Sequence, residues 1–251
     1  MAKIKKKLKK FGRYVWELFK GSFPATIMYV MAGSILLMLT MKPNETTKII
    51  PWDNKALMWT IVCIVAAAAY NALVSWAMGG SHYEMLASGN IKRVSASYGE
   101  GYKISSHKEA KEYREWKGFA MGAWSALFTL VGGIFFGCNQ GAIDGAAIGG
   151  DTMSTGLAIF TLVFLFITGW SLLPFYYMNM NGIAVNYFLT CLFALIPIAV
   201  TGAFYIAGAY ARRNKAIRQQ EMADRAAAAE AAKVKKINYG GLPGTKPKKR
   251  K

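Results

Sequence analysis

Acidic residues are scarce: 13 Asp and Glu stand against 31 Lys and Arg, a formal net charge of +18. Histidine occurs twice, at His82 and His107, and cysteine three times, at Cys63, Cys138 and Cys191. The cysteines lie in or at the end of apolar runs without paired spacing, which excludes a disulfide framework and a thiolate zinc site. The histidines, beside Glu84 and Glu109 but 25 residues apart, are too widely spaced to define a metal centre, so a solvated structural role is expected for both. A phosphate-binding glycine loop, a zincin helix and a nucleophile elbow are all missing, and Gly99 with Gly101 is only a fragment of the first. The long apolar runs contain no Asp, Glu, Lys, Arg or His. That lack argues against a proton-coupled pump or a voltage sensor, which need ionisable groups at membrane depth. The chain is expected to be no enzyme and to take no cofactor.

What the chain has in abundance is hydrocarbon. Hydrophobic residues make up 54% of it, which together with so much charge fits poorly with a single soluble core. Lys and Arg fall in four places: eight in residues 1–20, three in 42–55, seven in 92–117 and thirteen from Arg212 onward. Uncharged runs of 18 residues or more lie between these places, long enough to cross a hydrocarbon core of about 30 Å. A β-barrel is disfavoured, because its strands would alternate polar and apolar residues. The expected fold class is all-α, a polytopic helical membrane protein with five clear apolar segments and four to six crossings. An N-terminal interfacial amphipathic helix and a basic C-terminal helix and tail complete it. The parts are a basic amphipathic helix (1–21), a first transmembrane pair (22–78), a charged connection (79–118), a second transmembrane group (119–210) and a basic tail (211–251).

In residues 3–20, Ile4, Leu8, Phe11, Val15, Leu18 and Phe19 recur at helical spacing among Lys3, Lys5, Lys6, Lys7, Lys9, Lys10 and Arg13. Such a helix lies in the headgroup plane, or simply orients the span that follows. Ala25 to Met41 is long for a secretory signal core and lacks a small-residue cleavage site, so it is expected to remain as span 1. Span 2 is expected near 57–78. In the charged connection, Ser81 with Glu84 and Ser106 with Glu109 read as capping boxes, the second opening a helix to Lys117 that runs into span 3. Residues 94–105 suggest a small hairpin. Trp116 and Lys117 suit the interface, with the ammonium reaching water. Span 4 is expected near 157–177 with Pro174 ending or kinking it, and span 5 near 183–210 with a kink at Pro197.

The least ordinary pattern is glycine at every fourth position: Gly133, Gly137, Gly141, Gly145 and Gly149, with Gly118 and Gly122 at the same interval. On a helix these form a ridge that admits another helix backbone to backbone, and they predict a homo-oligomer or a partner membrane subunit. The alternative is a flexible loop after Gly137. The charges pose a parity problem. With five crossings, Lys and Arg divide 15 to 16 between the two sides; with an even number, 28 face 3, the asymmetry expected of a membrane protein with both ends in the cytoplasm.

The functional expectation is a non-enzymatic subunit or scaffold in the cell membrane. Its basic cytoplasmic parts, Lys5, Lys6, Lys7, Lys9 and Lys10 together with Arg212, Arg213, Lys235, Lys236, Lys248, Lys249, Arg250 and Lys251, would bind anionic lipid or a partner. One alternative is a permease subunit powered by a separate ATPase. Another is an insertion or translation-coupled factor whose tail binds ribosomes. DNA is not expected as a partner.

Overall fold

The computed structural model describes residues 2–40, 42, 50–87, 113–150 and 152–239. An apolar chain removed from water must satisfy its backbone polar groups internally, and a helix does so within a single segment. The described residues form helices and turns, with no strand among them. They are α1 (Ala2–Thr40), α2 (Asn54–Ala87), α3 (Glu115–Cys138), α4 (Gln140–Asp144), a π-helical turn (Gly145–Gly149), α5 (Thr155–Met180), a 3-10 turn (Tyr187–Leu189), α6 (Thr190–Phe193) and α7 (Leu195–Tyr239). Five helical segments are long and apolar enough to cross a membrane: Lys7–Thr40, Asn54–Met85, Glu115–Cys138, Thr155–Met180 and Tyr187–Ala232.

Several boundaries differ from expectation. The amphipathic stretch is not a separate element, because α1 runs unbroken from it through Pro24 into the first long apolar segment. Ser81 is not an N-cap. Helix α2 continues through Gly79 and Gly80 to Ala87, since Gly79 seats its helical backbone directly against the carbonyl of Tyr205 and leaves no extended residue for a cap. The true cap of α2 is Asp53, whose Oδ1 accepts from the amide of Ala56 at 2.8 Å, as an N-cap carboxylate does. Arg114 is extended, with φ −147° and ψ 131°, so α3 starts at Glu115 instead of emerging from a longer charged helix. The expected hairpin, the Ser106–Glu109 box, Gly99, Gly101 and His107 lie outside the described residues.

Pro174 does not end α5, which runs on to Met180. Pro197 does coincide with a break: α6 stops at Phe193 and α7 starts at Leu195. Proline lacks the N–H that would close a helical bond to the carbonyl four residues earlier, here Phe193. After α3 the chain turns at Asn139 and remains helical through α4 and the π turn, which Gly150 ends at φ 72°.

The chain forms two units, Met1–Ala209 and Tyr210–Lys251. In the first, α1 packs along α2, α3 and α5. One buried cluster gathers Tyr29, Leu36, Phe136, Trp170, Leu172, Tyr177 and Tyr187; a smaller one holds Leu18, Met121 and Tyr205. The second unit contains the remainder of α7, whose residues 213–232 are exposed on all sides.

Candidate functional site

The glycines determine how closely the helices approach. A Cβ added to Gly122 would lie 2.6 Å from the Cα of Ile198 and 2.7 Å from the carbonyl of Pro197. At Gly118 it would meet Tyr205, at Gly133 Cys191, and at Gly137 the ring of Phe188, each at 2.8 Å. From Gly118 to Gly137, therefore, these glycines of α3 face the segment from Phe188 to Tyr205 of the same chain. Gly79 and Gly208 pair α2 with α7 in the same way, and Gly33 faces Gly169 and Trp170 between α1 and α5. Gly141 differs, having nothing within 4 Å. Gly145 and Gly149 lie in the π turn.

Polar side chains within the long apolar helices are used between helices. Asn71 of α2 is fully buried; its amide donates to Tyr29 of α1 at 3.3 Å and to Thr201 of α7 at 3.0 Å, and its Oδ1 accepts from Ser75 at 3.1 Å. Tyr29 packs on Trp170 of α5 with ring centroids 4.6 Å apart. The hydroxyls of Thr26 and Ser125 lie 3.3 Å apart across α1 and α3.

The end of the bundle holding Thr40 and Cys138 carries a second polar set, built around Asp144. Its Oδ1 accepts from the hydroxyl of Tyr187 at 2.6 Å, and its Oδ2 lies 3.5 Å from the amide of Asn179. Asn179 also pairs with the backbone of Val185, accepting from its N–H at 2.6 Å and donating to its carbonyl at 2.9 Å. Gln140 donates to the same carbonyl at 2.9 Å. Helix α5 ends in a Schellman turn. Gly182 takes φ 81°, with Ile183 N–H bonded to Met178 O at 2.9 Å and Gly182 N–H to Asn179 O at 3.0 Å, the double closure of that motif. Together these bonds hold residues 179–187 against α4.

At the opposite, basic end lies an aromatic set that the sequence did not reveal. Tyr205 bonds His82 at 2.8 Å and stacks on Tyr113 at 5.4 Å and 15°. Tyr14 stacks on Trp116 at 5.6 Å. Lys117 does not reach water as expected; it is 1% exposed, and its Nζ sits 6.0 Å from the Tyr14 ring centroid. His82 is half-buried instead of solvated. The local signal was weak, because it needed α1, α2, α3 and α7 to be brought together before their aromatics could meet.

Lys7, Lys9, Lys10 and Arg213 are exposed and Arg212 is half-buried; Lys5, Lys6, Lys235 and Lys236 lie within helices. Lys248, Lys249, Arg250 and Lys251 fall outside the described residues. The three cysteines are free, with Cys63 buried and Cys138 exposed, and no group of three metal-ligating side chains occurs among the described residues. No family model, curated protein or solved structure shows significant similarity to this chain.

Proposed function

We propose that the chain is a non-enzymatic integral membrane subunit or scaffold whose basic parts share the cytoplasmic face, where they gather anionic lipid or an acidic partner. The supporting observation is the path of α5. Near its start, Phe160 and Phe164 pack on Phe135, with centroids 6.2 Å and 4.9 Å apart, one turn before α3 ends. Near its finish, Tyr177 shares a hydrogen bond of 2.9 Å with Thr40, the last residue of α1. Phe160 and Tyr177 are 17 residues apart, about 25 Å of helix. In a crossing helix Phe160 would sit that far below Thr40, level with Phe23 and Met121. Its contact with Phe135 instead supports a helix that lies across the far end and returns to it.

With α5 not crossing, four helices cross and both chain ends share a side. The basic parts then divide 28 to 3, and the positive-inside bias puts the larger share in the cytoplasm. The use of polar side chains to tie one helix to another, as at Asn71, supports a structural role. The test is labelling by a membrane-impermeant maleimide in a background free of Cys63, Cys138 and Cys191. Ser154→Cys and Asn181→Cys should label from one side, with Glu100→Cys and Lys251→Cys from the other. Ser154 and Asn181 on opposite sides would establish five crossings and overturn the reading.

The helix break at Ala194 and the π turn beside Asp144 favour a second reading, a permease subunit driven by an ATPase docked on residues 81–117, since broken helices line transport sites. Flux in vesicles only when such a subunit is present would select it.

A further inference from the structure

Between α1 and α3 lies a cleft of about 290 Å³. Its lining includes Phe19, Phe23, Ile27 and Met31 from α1, facing Trp124 and Phe128 from α3. The hydroxyls that border it are already engaged: Ser22 donates to Phe19 O at 2.8 Å and Thr26 to Ser22 O at 3.0 Å. The cleft therefore offers an occupant only hydrocarbon and aromatic surface. From Phe19 to Met31 the helix advances about 18 Å, which matches one leaflet, about half of a 30 Å hydrocarbon core.

The mouth of the cleft has a different chemistry. Trp16 stacks on Phe19 at 5.6 Å and 19°, and the ammonium of Lys20 stands 5.4 Å from the Trp16 ring centroid. Lys20 is exposed, makes no ion pair among the described residues, and lies one turn before Phe23 on the same helix face. An indole and a free-ended ammonium at the top of an apolar groove form an interfacial pair, the ring at headgroup depth and the charge beside the phosphates. We infer that this cleft holds one acyl chain of an anionic phospholipid, with the lipid phosphate at Lys20. The inference rests on the reading of the chain as an integral membrane protein, and it names the lipid and the place that the general attraction of the basic parts leaves open.

The full-length protein, extracted from bilayers of phosphatidylglycerol and phosphatidylcholine, should retain one phospholipid per chain in native mass spectrometry, with phosphatidylglycerol enriched. Lys20→Gln should lower that enrichment about fivefold, the effect of one interfacial charge, while a chain-bound lipid remains. Ile27→Trp, which fills the groove, should remove the retained lipid, with circular dichroism confirming that the helices persist; if that variant misfolds, the Lys20→Gln result decides. Three outcomes overturn the inference: no lipid retained, equal retention of both lipids by the unaltered chain, or a second copy of the chain in the cleft, seen as a dimer that Ile27→Trp dissociates. A chain that inserts but retains no lipid refutes the groove alone. A chain that never inserts refutes the membrane reading as well.

Discussion

At the scale of single residues, two glycines with the same spacing in the sequence have opposite surroundings. Gly122 lies against the backbone of Ile198 and Pro197, which cannot swing aside as a side chain could. Gly122→Ala should therefore destabilise by about 1–3 kcal/mol, the usual effect of overpacking, visible as a lowered thermal midpoint in detergent. Gly141 has open space around it, so Gly141→Leu should leave that midpoint unchanged. If the open face at Gly141 is where a partner helix sits, the same variant should reduce particle size by size-exclusion chromatography, and an unchanged size would remove that face from consideration. Glycine periodicity alone could show that close approach was intended, but it could not show which neighbour fills each notch, because that depends on helices far apart in the chain. Asn71 and Tyr205 were hidden for the same reason. Each lies in an apolar run, and only when α1, α2 and α7 meet does the amide find Tyr29 and Thr201, or the phenol find His82.

At the scale of elements, the apolar runs were readable because length and lack of charge suffice to define a candidate span. Their ends were less so. A capping box at Ser81 competes with a helix whose continuation satisfies every backbone group, and the continuation prevails when a neighbouring backbone packs at Gly79. The loss of a donor at proline was not decisive by itself: Pro197 coincides with the break after Phe193, whereas Pro24 and Pro174 lack the same N–H and lie inside helices that continue past them. The segment after α5 offers a direct test. Asn179 is the only side chain that bonds both the N–H and the carbonyl of Val185 among the described residues. Asn179→Ala should cost about 1–3 kcal/mol, the penalty for leaving the half-buried Val185 N–H unsatisfied, since the carbonyl still accepts from Gln140. Hydrogen exchange at the Val185 amide should accelerate, while amides in the middle of α3 keep their protection. Unchanged exchange at Val185 would mean that the turn at Gly182 holds the loop without Asn179.

For the whole molecule, charge and hydrocarbon are segregated along the chain, and the segregation continues past the bundle into the second unit. From Arg212 to Lys251 there are 13 basic and three acidic residues, and among residues 213–232 the large exposed hydrophobics are Ile217 and Met222. Good helix formers explain why it is helical at all. A segment with this composition has little large apolar surface to bury, so any partner it takes would have to supply negative charge. Lipid is favoured over RNA because base stacking needs interleaved aromatics, and from Arg212 to the end the chain offers Tyr239 alone. Each basic group near an anionic leaflet contributes roughly 1 kcal/mol within a Debye length of the surface. A peptide of residues 212–251 should accordingly bind phosphatidylglycerol vesicles at low salt and release them as ionic strength rises, with little binding to phosphatidylcholine. Removing residues 240–251 takes five of the thirteen basic residues and should weaken that binding in part, while the apolar helices of the shortened full protein keep their thermal midpoint. Co-sedimentation of the peptide with ribosomes, combined with indifference to anionic vesicles at low salt, would reverse the assignment and make an insertion or translation-coupled role the stronger one.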